Sequence, residues 1–505
     1  MRASLSFLRV DSGTNIFASL SFALNIHQGR RELGVFCSRA LDMREISTIG
    51  YDMDYTLVHY NVDAWEGSAF DYSKQYLLDD NFPVEDFVFD PDLVIRGLVV
   101  DKDLGNLVKA DRFGYVQRAM HGTTMLESRE IKEIYGREPI DLRKTGRWYF
   151  LNTLFTVSEA VMFAQMVDTF DAGKLSDELN VYSYTQISEV CAQACYRTHV
   201  EGYLKKEIMN EPERFIEEDP LLPLALLDQK DAGKKLLLIT NSDYEYTEKM
   251  MAYSYNKFLP SGMTWRSLFD VVIVSARKPN FFLSDNPLYE IVTADGLLRP
   301  ALSAVEGGLF SGGSAKMVER ALGVSGDEIM YVGDHIYTDV SISKTQLRWR
   351  TCLIIRELEQ EIEAIRLGSQ SKKELRELID LQHRLLDLYT QCTLIKQRAL
   401  VNRPYSDGIA VDERPIEADA LLSKLESITE EVENVLDPLL KADGKHFSKR
   451  WGYLCRTGLN DKSHLTRQIE KYADIYTSRV SNLLRYSPFT HFKSPSQTLA
   501  HDKTN

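Results

Sequence analysis

Residues 46–60 read I-S-T-I-G-Y-D-M-D-Y-T-L-V-H-Y. Asp52 and Asp54 stand one residue apart, and the hydroxyl of Thr56 follows two residues later. Two carboxylates aimed at one spot repel unless a cation or a proton lies between them. The pair therefore points to Mg²⁺, to a shared proton, or to both. A lone D-x-D is read more simply as an acidic turn. Its setting argues for more, because residues 47–51 are a short, partly β-branched run suited to a strand. Open α/β sheets bind ligands beyond the carboxyl ends of their strands.

Three further stretches share this layout. Residues 235–239 (K-L-L-L-I) end in Thr240, Asn241, Ser242 and Asp243. Residues 270–275 (D-V-V-I-V-S) end in Ala276, Arg277, Lys278 and Pro279. Residues 328–332 (E-I-M-Y-V) end in Gly333, Asp334, His335, Ile336, Tyr337, Thr338 and Asp339. A carboxylate pair, a hydroxyl, a lysine and a second acidic pair thus stand at four strand ends. An α/β fold with a Rossmann-like parallel sheet would gather them.

In order and in kind, these motifs resemble those of the haloacid dehalogenase-like phosphatases. The wording D-M-D-Y-T-L, T-N-S-D-Y, A-R-K-P and G-D-H-I-Y-T-D is similar to the cytosolic purine 5′-nucleotidase branch, over residues 36 to 492 or so. The resemblance implies a phosphatase core in 36–60 and 225–356, with a large α+β cap inserted at 61–224. A helical hairpin over 357–445 and a segment over 446–505, returning to the core with a loose end, complete the expected division. Asp52 is then the nucleophile and Asp54 the general acid and base. Mg²⁺ is expected on an Asp52 oxygen, the Asp54 backbone carbonyl and Asp334, an oxygen-rich set that suits a hard cation. Thr240, Asn241, Ser242 and Lys278 are expected on the phosphate, Thr56 at the turn or on Asp54, and Asp339 in support of Lys278 or a metal-bound water. In the cap, Phe155 and His199 match residues that face the base, and Lys205 matches a family lysine. Without the resemblance, Phe155 reads as core, His199 as a helix cap and Lys205 as an exposed helix lysine.

Composition bounds the partners. The 505 residues, 57.8 kDa in mass, allow two or three domains, and the net charge is −14. That charge disfavours polymeric nucleic acid and anionic membranes, while a local lysine with Mg²⁺ still serves a small-molecule nucleotide. Six cysteines without a C-x-x-C pair fit a reducing compartment. No apolar run approaches the length of a membrane span. Residues 1–35 are rich in arginine and serine and read equally as an organelle transit peptide or as a plain terminus. The expected location is cytoplasmic, or mitochondrial or plastid if that segment directs it.

Elsewhere, residues 94–117 read as a β-meander, and 152–168 and 182–208 carry helical apolar spacing. Ser314 before 315–322 reads as an N-cap or part of a phosphate cradle. In the hairpin, Leu375, Leu378, Leu385 and Cys392 line one helix face. Leu421, Leu425, Ile428, Val432, Val435 and Leu439 line another. The polar break at 402–415 separates the two. The hairpin either packs on the core or pairs between subunits in a homo-oligomer.

The expected function is Mg²⁺-dependent hydrolysis of nucleoside 5′-monophosphates through an aspartyl-phosphate. The alternatives are a weakly active or inactive scaffold or binding protein of the same fold, or a phosphatase for other small phosphomonoesters. Purine-selective relatives carry an arginine and an aspartate where this chain has Ala192 and Tyr196, and an asparagine where it has Thr156. The departures imply a broad or shifted base preference, without a strong choice of IMP and GMP.

Overall fold

In the computed structural model the described residues are 34–136, 138–401, 403, 415–458 and 461–495. The transit-peptide reading of the N-terminus, most of the polar break in the hairpin and the loose end of the tail fall outside them.

One ten-stranded sheet organises the chain. Its centre is parallel, in the order Ile475–Thr477, Arg350–Ile354, Ile329–Gly333, Thr48–Tyr51, Lys235–Ile239, Val271–Val274 and Gly308–Gly312. Val35–Cys37 pairs antiparallel at one edge, and the hairpin Leu288–Ile291 with Leu298–Ala301 extends the other. Runs such as L-L-L-I and V-V-I-V are buried throughout, as strands covered on both faces must be. The register sets Tyr51 opposite Leu238 on one side and Val332 on the other. The residues that follow these strands therefore emerge level with one another.

Residues 61–234 carry a second, antiparallel sheet. Its strands are Thr124–Met125, Val116–His121, Asn106–Ala110, Val99–Asp101 and Trp148–Phe150, in that spatial order. The meander read from 94–117 lies within it. Residues 152–168 begin as a short turn, Leu154–Thr156, and continue as the helix Val157–Asp171. The helical spacing of 182–208 covers two helices, Tyr184–Val200 and Tyr203–Asn210, because Gly202 takes φ +79 between them. That left-handed conformation ends one helix and starts the next.

Beyond the sheet, Ser369–Leu400 and Pro415–Ala442 are long helices packed on each other. Leu375 and Leu385 are buried, with Leu378 and Cys392 packed beside them. On the second helix Leu422, Leu425, Val432 and Leu436 are buried, while Leu421 and Val435 are exposed. Four of the six expected positions, Leu425, Ile428, Val432 and Leu439, pack in the seam, and at the other two the partner helix takes Leu422 and Leu436 in place of Leu421 and Val435. Ser314 occupies the N-cap position of Ala315–Leu322 but makes no side-chain cap bond. Its hydroxyl lies 3.5 Å from Asp285 instead. All six cysteines are free thiols. Among the described residues no helix is long and apolar enough to cross a membrane.

Candidate active site

Four loops meet at the carboxyl ends of the central strands. Asp52 follows Thr48–Tyr51, and its amide donates to the Val332 carbonyl at 2.9 Å. Lys278 follows Val271–Val274, and its ammonium is 2.7 Å from Asp52 Oδ1 and 2.8 Å from Asp339 Oδ1. It also donates to the hydroxyl of Tyr331 at 3.1 Å, which in turn donates to the Ile239 carbonyl at 2.8 Å. Gly50 makes room for this: a Cβ there would meet the Tyr331 ring at 2.8 Å. Gly333 serves Asp339 likewise, since a Cβ would come within 2.5 Å of that carboxylate.

Carboxylate oxygens of Asp52, Asp334 and Asp339 lie within 4.8 Å of one another, all buried. The side chain of Asp54 takes a different direction. It accepts from Tyr60 at 2.6 Å and from Ser242 at 2.7 Å. Burial pushes the Asp52 carboxyl up to about 7; Lys278 opposes the shift and Asp339 adds to it. Burial also raises Asp54, with the charge of Asp52 adding and that of Lys205 opposing. Burial raises Asp334 well above its usual range, with Asp339 and Asp52 adding. Burial alone would lower Lys278, but the charges of Asp339 and Asp52 outweigh it and hold the ammonium well above its usual value.

Three buried carboxyl groups, Asp52, Asp334 and Asp339, thus gather at one buried ammonium, with the partly buried Asp54 beside them. The donor set is all oxygen and carries excess negative charge, which fits a hard divalent cation such as Mg²⁺. Among the described residues, Asp52, Asp334 and Asp339 are the ones whose carboxylate oxygens could hold it. The Asp54 side chain is held by Tyr60 and Ser242 and lies outside this group.

The remaining sequence-predicted residues fall into two groups. Thr240 is buried beside Ser242, whose amide donates to its hydroxyl at 3.0 Å. Asn241 clamps the backbone of Lys278: its Oδ1 accepts from the Lys278 amide at 2.6 Å and its Nδ2 donates to the Lys278 carbonyl at 3.1 Å. The Thr56 hydroxyl is buried without a partner among the described residues, and its amide donates to the Met53 carbonyl within the turn. Phe155 lies edge-on to Tyr55 and Trp65, with centroids 4.7 and 4.8 Å away, and His199 stacks on Trp65 at 5.3 Å. Burial and the nearby Lys205 charge push the His199 imidazole down to about 4, so it is neutral near pH 7. Lys205 sits 3.4 Å from Asp243 and over the Tyr246 ring.

Sequence reasoning missed Thr153, Arg96, Tyr60 and Trp65. Thr153 donates to Asp334 Oδ2 at 3.0 Å, and the guanidinium of buried Arg96 reaches the Asp334 carbonyl at 3.4 Å and Glu357 at 2.6 Å. Tyr60 and Trp65 follow the first motif closely, where an aromatic run after a D-x-D was the available signal. Arg96 gave none beyond standing in an apolar stretch.

Paired carboxylates at one strand end, a lysine at another and a second acidic pair at a third are the site of a phosphomonoester hydrolase. A sequence model of the 5′ nucleotidase family matches residues 35–504. The chain belongs to the 5′ nucleotidase family, whose activity is 5′-nucleotide phosphatase chemistry. It is similar to a 5′-nucleotidase domain-containing protein of Dictyostelium discoideum, 28% identical over 480 residues, covering 93% of this chain and 74% of that one. Among solved structures it is similar to an archaeal β-phosphoglucomutase from Pyrococcus at 11% identity and a TM-score of 0.29, over 61% of this chain and 86% of that one. A predicted phosphoglycolate phosphatase from Haemophilus somnus matches at 11% identity and a TM-score of 0.26, over 61% and 85%.

Proposed function

We propose that the protein releases phosphate from nucleoside 5′-monophosphates in a Mg²⁺-dependent reaction through an aspartyl-phosphate. One observation carries the reading: two carboxylates two positions apart have opposite kinds of partner. Asp52 faces the ammonium of Lys278, while Asp54 is held by the hydroxyls of Tyr60 and Ser242. The first arrangement favours an ionised nucleophile. The second holds Asp54 in place, while burial and the charge of Asp52 raise its carboxyl against those two hydroxyl bonds, which lets it carry a proton.

An Asp52 oxygen attacks phosphorus, and the bond to the ester oxygen breaks. Asp54 gives its proton to that oxygen, which leaves as the nucleoside 5′-hydroxyl. Asp54 then takes a proton from water as the water oxygen attacks phosphorus, which returns Asp52 and frees phosphate. Lys278 binds phosphoryl oxygens and offsets charge in the transition state, held in place by Asp339, Tyr331 and the Asn241 clamp. Thr240 and Ser242 line the phosphate side. Bound Mg²⁺, held by Asp52, the Asp54 carbonyl and Asp334, would supply charge neutralisation at the phosphate. Phe155 and the neutral His199 offer flat faces for the base.

Phosphate release from a nucleotide panel, with and without Mg²⁺, tests the activity. Mass spectrometry of rapidly quenched enzyme tests the route. A phosphate adduct on the peptide containing Asp52 is expected; an active enzyme with no adduct there, or with one elsewhere, overturns the mechanism.

A further inference from the structure

The two long helices carry more apolar surface than their mutual packing uses. Leu381 and Leu388 on Ser369–Leu400 are 42% and 50% exposed, and Leu421 and Val435 on Pro415–Ala442 are 46% and 53% exposed. Ile395 and Ile428, partly buried, complete both series at seven-residue spacing, 381, 388, 395 and 421, 428, 435; Ile428 sits at the border, since it also packs against Leu385, Leu425 and Val432 inside the hairpin.

Cross-helix bonds fix the level of each residue. Gln382 bonds Glu433 at 3.1 Å, Tyr389 bonds Glu426 at 2.8 Å, and Lys396 pairs with Asp419. The apolar positions sit one residue before these partners on the first helix and two after them on the second. They therefore form three rungs, Leu381 with Val435, Leu388 with Ile428, and Ile395 with Leu421. At 100° per residue, both series fall on one side of the helix pair, and the polar pairs fall towards the other. The hairpin thus has a seam inside it, a polar edge and a laddered apolar face.

We infer that this face docks on the same face of a second copy of the chain, forming a four-helix bundle. Heptad-spaced rungs on both helices are what such a bundle needs from each hairpin. Charge selects the arrangement. The first helix carries six basic and four acidic residues, and the second two basic and seven acidic. A two-fold axis along the hairpin sets each basic helix against the partner's acidic one. Arg384 and Glu431 flank the ladder on opposite outer edges at matching height, and this axis brings them together between copies. Three rungs plus a turn at each end cover roughly 30 Å by 20 Å, about 600 Å² per copy, near the lower bound for a specific interface.

Sedimentation velocity on the full chain tests this. Wild type is expected to be a dimer at micromolar concentration. The double variant Leu388→Lys, Val435→Lys is expected to be a monomer with unchanged helix content by circular dichroism; both side chains are exposed within one chain, so the hairpin keeps its own seam. Arg384→Glu should weaken the dimer about tenfold, and adding Glu431→Arg should restore it. A wild type that stays monomeric, as when residues 1–33 cover the face, overturns the inference. So does a dimer indifferent to the lysine pair, or a charge swap that fails to restore association.

Discussion

The hydroxyl of Thr153 donates to Oδ2 of Asp334 across 3.0 Å, with both residues buried. Thr153 comes from the segment inserted after the first motif, and Asp334 from the end of a central strand. The bond fixes which oxygens of Asp334 remain for a cation. It also ties the proposed cation side to the proposed base side, because Phe155 follows two residues after Thr153. Outer partners of metal ligands are worth about 10–100-fold in metal affinity. Thr153→Val should therefore raise the Mg²⁺ concentration for half-maximal activity roughly tenfold. Mg²⁺-induced stabilisation in a thermal shift should weaken in parallel. Thr153→Ser should keep both near wild type. An unchanged Mg²⁺ dependence in the valine variant would remove the positioning role.

Asp52 and Asp54 should respond differently to the same substitution. Asp52→Asn removes the nucleophile and is expected to lower kcat by on the order of 10⁴ or more. Asp54→Asn keeps the nucleophile but loses proton transfer, worth about 10²–10⁴. The two should also separate by substrate. An activated ester whose leaving group needs no proton should partly rescue the first half-reaction of Asp54→Asn, and never Asp52→Asn. Equal losses on both substrates would contradict the division of labour.

Asn241→Ala should act through Lys278. The amide side chain bonds both the N–H and the carbonyl of that lysine, so its removal frees the loop that aims the ammonium. A lost pair of bonds of this kind costs about 1–3 kcal/mol of stability. The expected kinetic signature is a lower kcat with a smaller change in KM. Asn241→Asp should not rescue it, because the carboxylate cannot donate to the Lys278 carbonyl.

These cases mark what the sequence made legible. The strands behind Asp52, Thr240, Lys278 and Asp334 were readable because each is a short apolar run followed by polar residues, and a parallel sheet allows few other placements. Asn241 was readable as a site residue but not as a clamp, because spacing does not say where an amide points. Thr153 and Arg96 were invisible, since their partner Asp334 lies some 180–240 positions away and only the tertiary fold brings them together. Two positions of the hairpin face, 421 and 435, were misread for a related reason. Its second helix carries two apolar stripes, and periodicity alone does not say which one the partner takes.

Glu66 supplies a pH test separate from catalysis. It is fully buried; Oε2 accepts from the Ser158 amide at 3.0 Å, and Oε1 has no partner among the described residues. Burial raises its carboxyl to about 8, with the Ser158 bond opposing. The folded value lies above the unfolded one, so the native state binds the proton more tightly. The stability this contributes is complete below about pH 4.5 and is lost as pH rises towards 8. Glu66→Gln resembles the protonated form at every pH. Its melting temperature relative to wild type should therefore climb between pH 5 and 8, by about 1.4 kcal/mol for each pH unit. A constant difference across that range would mean Glu66 does not titrate there.

The base preference should be broad, for reasons visible in the helix Tyr184–Val200 and the turn before Val157. Ala192, Tyr196 and His199 are spaced i, i+4 and i+7, so they share one helix face. Ala192 brings no hydrogen-bonding group and Tyr196 is 66% exposed, where purine-selective relatives place an arginine and an aspartate. Thr156 does not compensate, because its hydroxyl donates to the Thr153 carbonyl at 2.8 Å and is buried. On the proposed reading the base is left with Phe155 and an uncharged His199, which recognise flatness and little else. Sites that read an edge through hydrogen bonds reject analogues by 10⁴ or more, whereas stacking gives small factors. We expect kcat/KM for IMP, GMP, AMP and UMP to fall within roughly tenfold of one another, with a sugar phosphate lower because it lacks a ring to stack. Ala192→Arg combined with Tyr196→Asp should then shift the preference towards IMP and GMP by at least about tenfold. A wild-type enzyme that already prefers IMP and GMP strongly would place the reading group elsewhere in residues 61–234. A double variant with no shift would mean that this helix face does not meet the base.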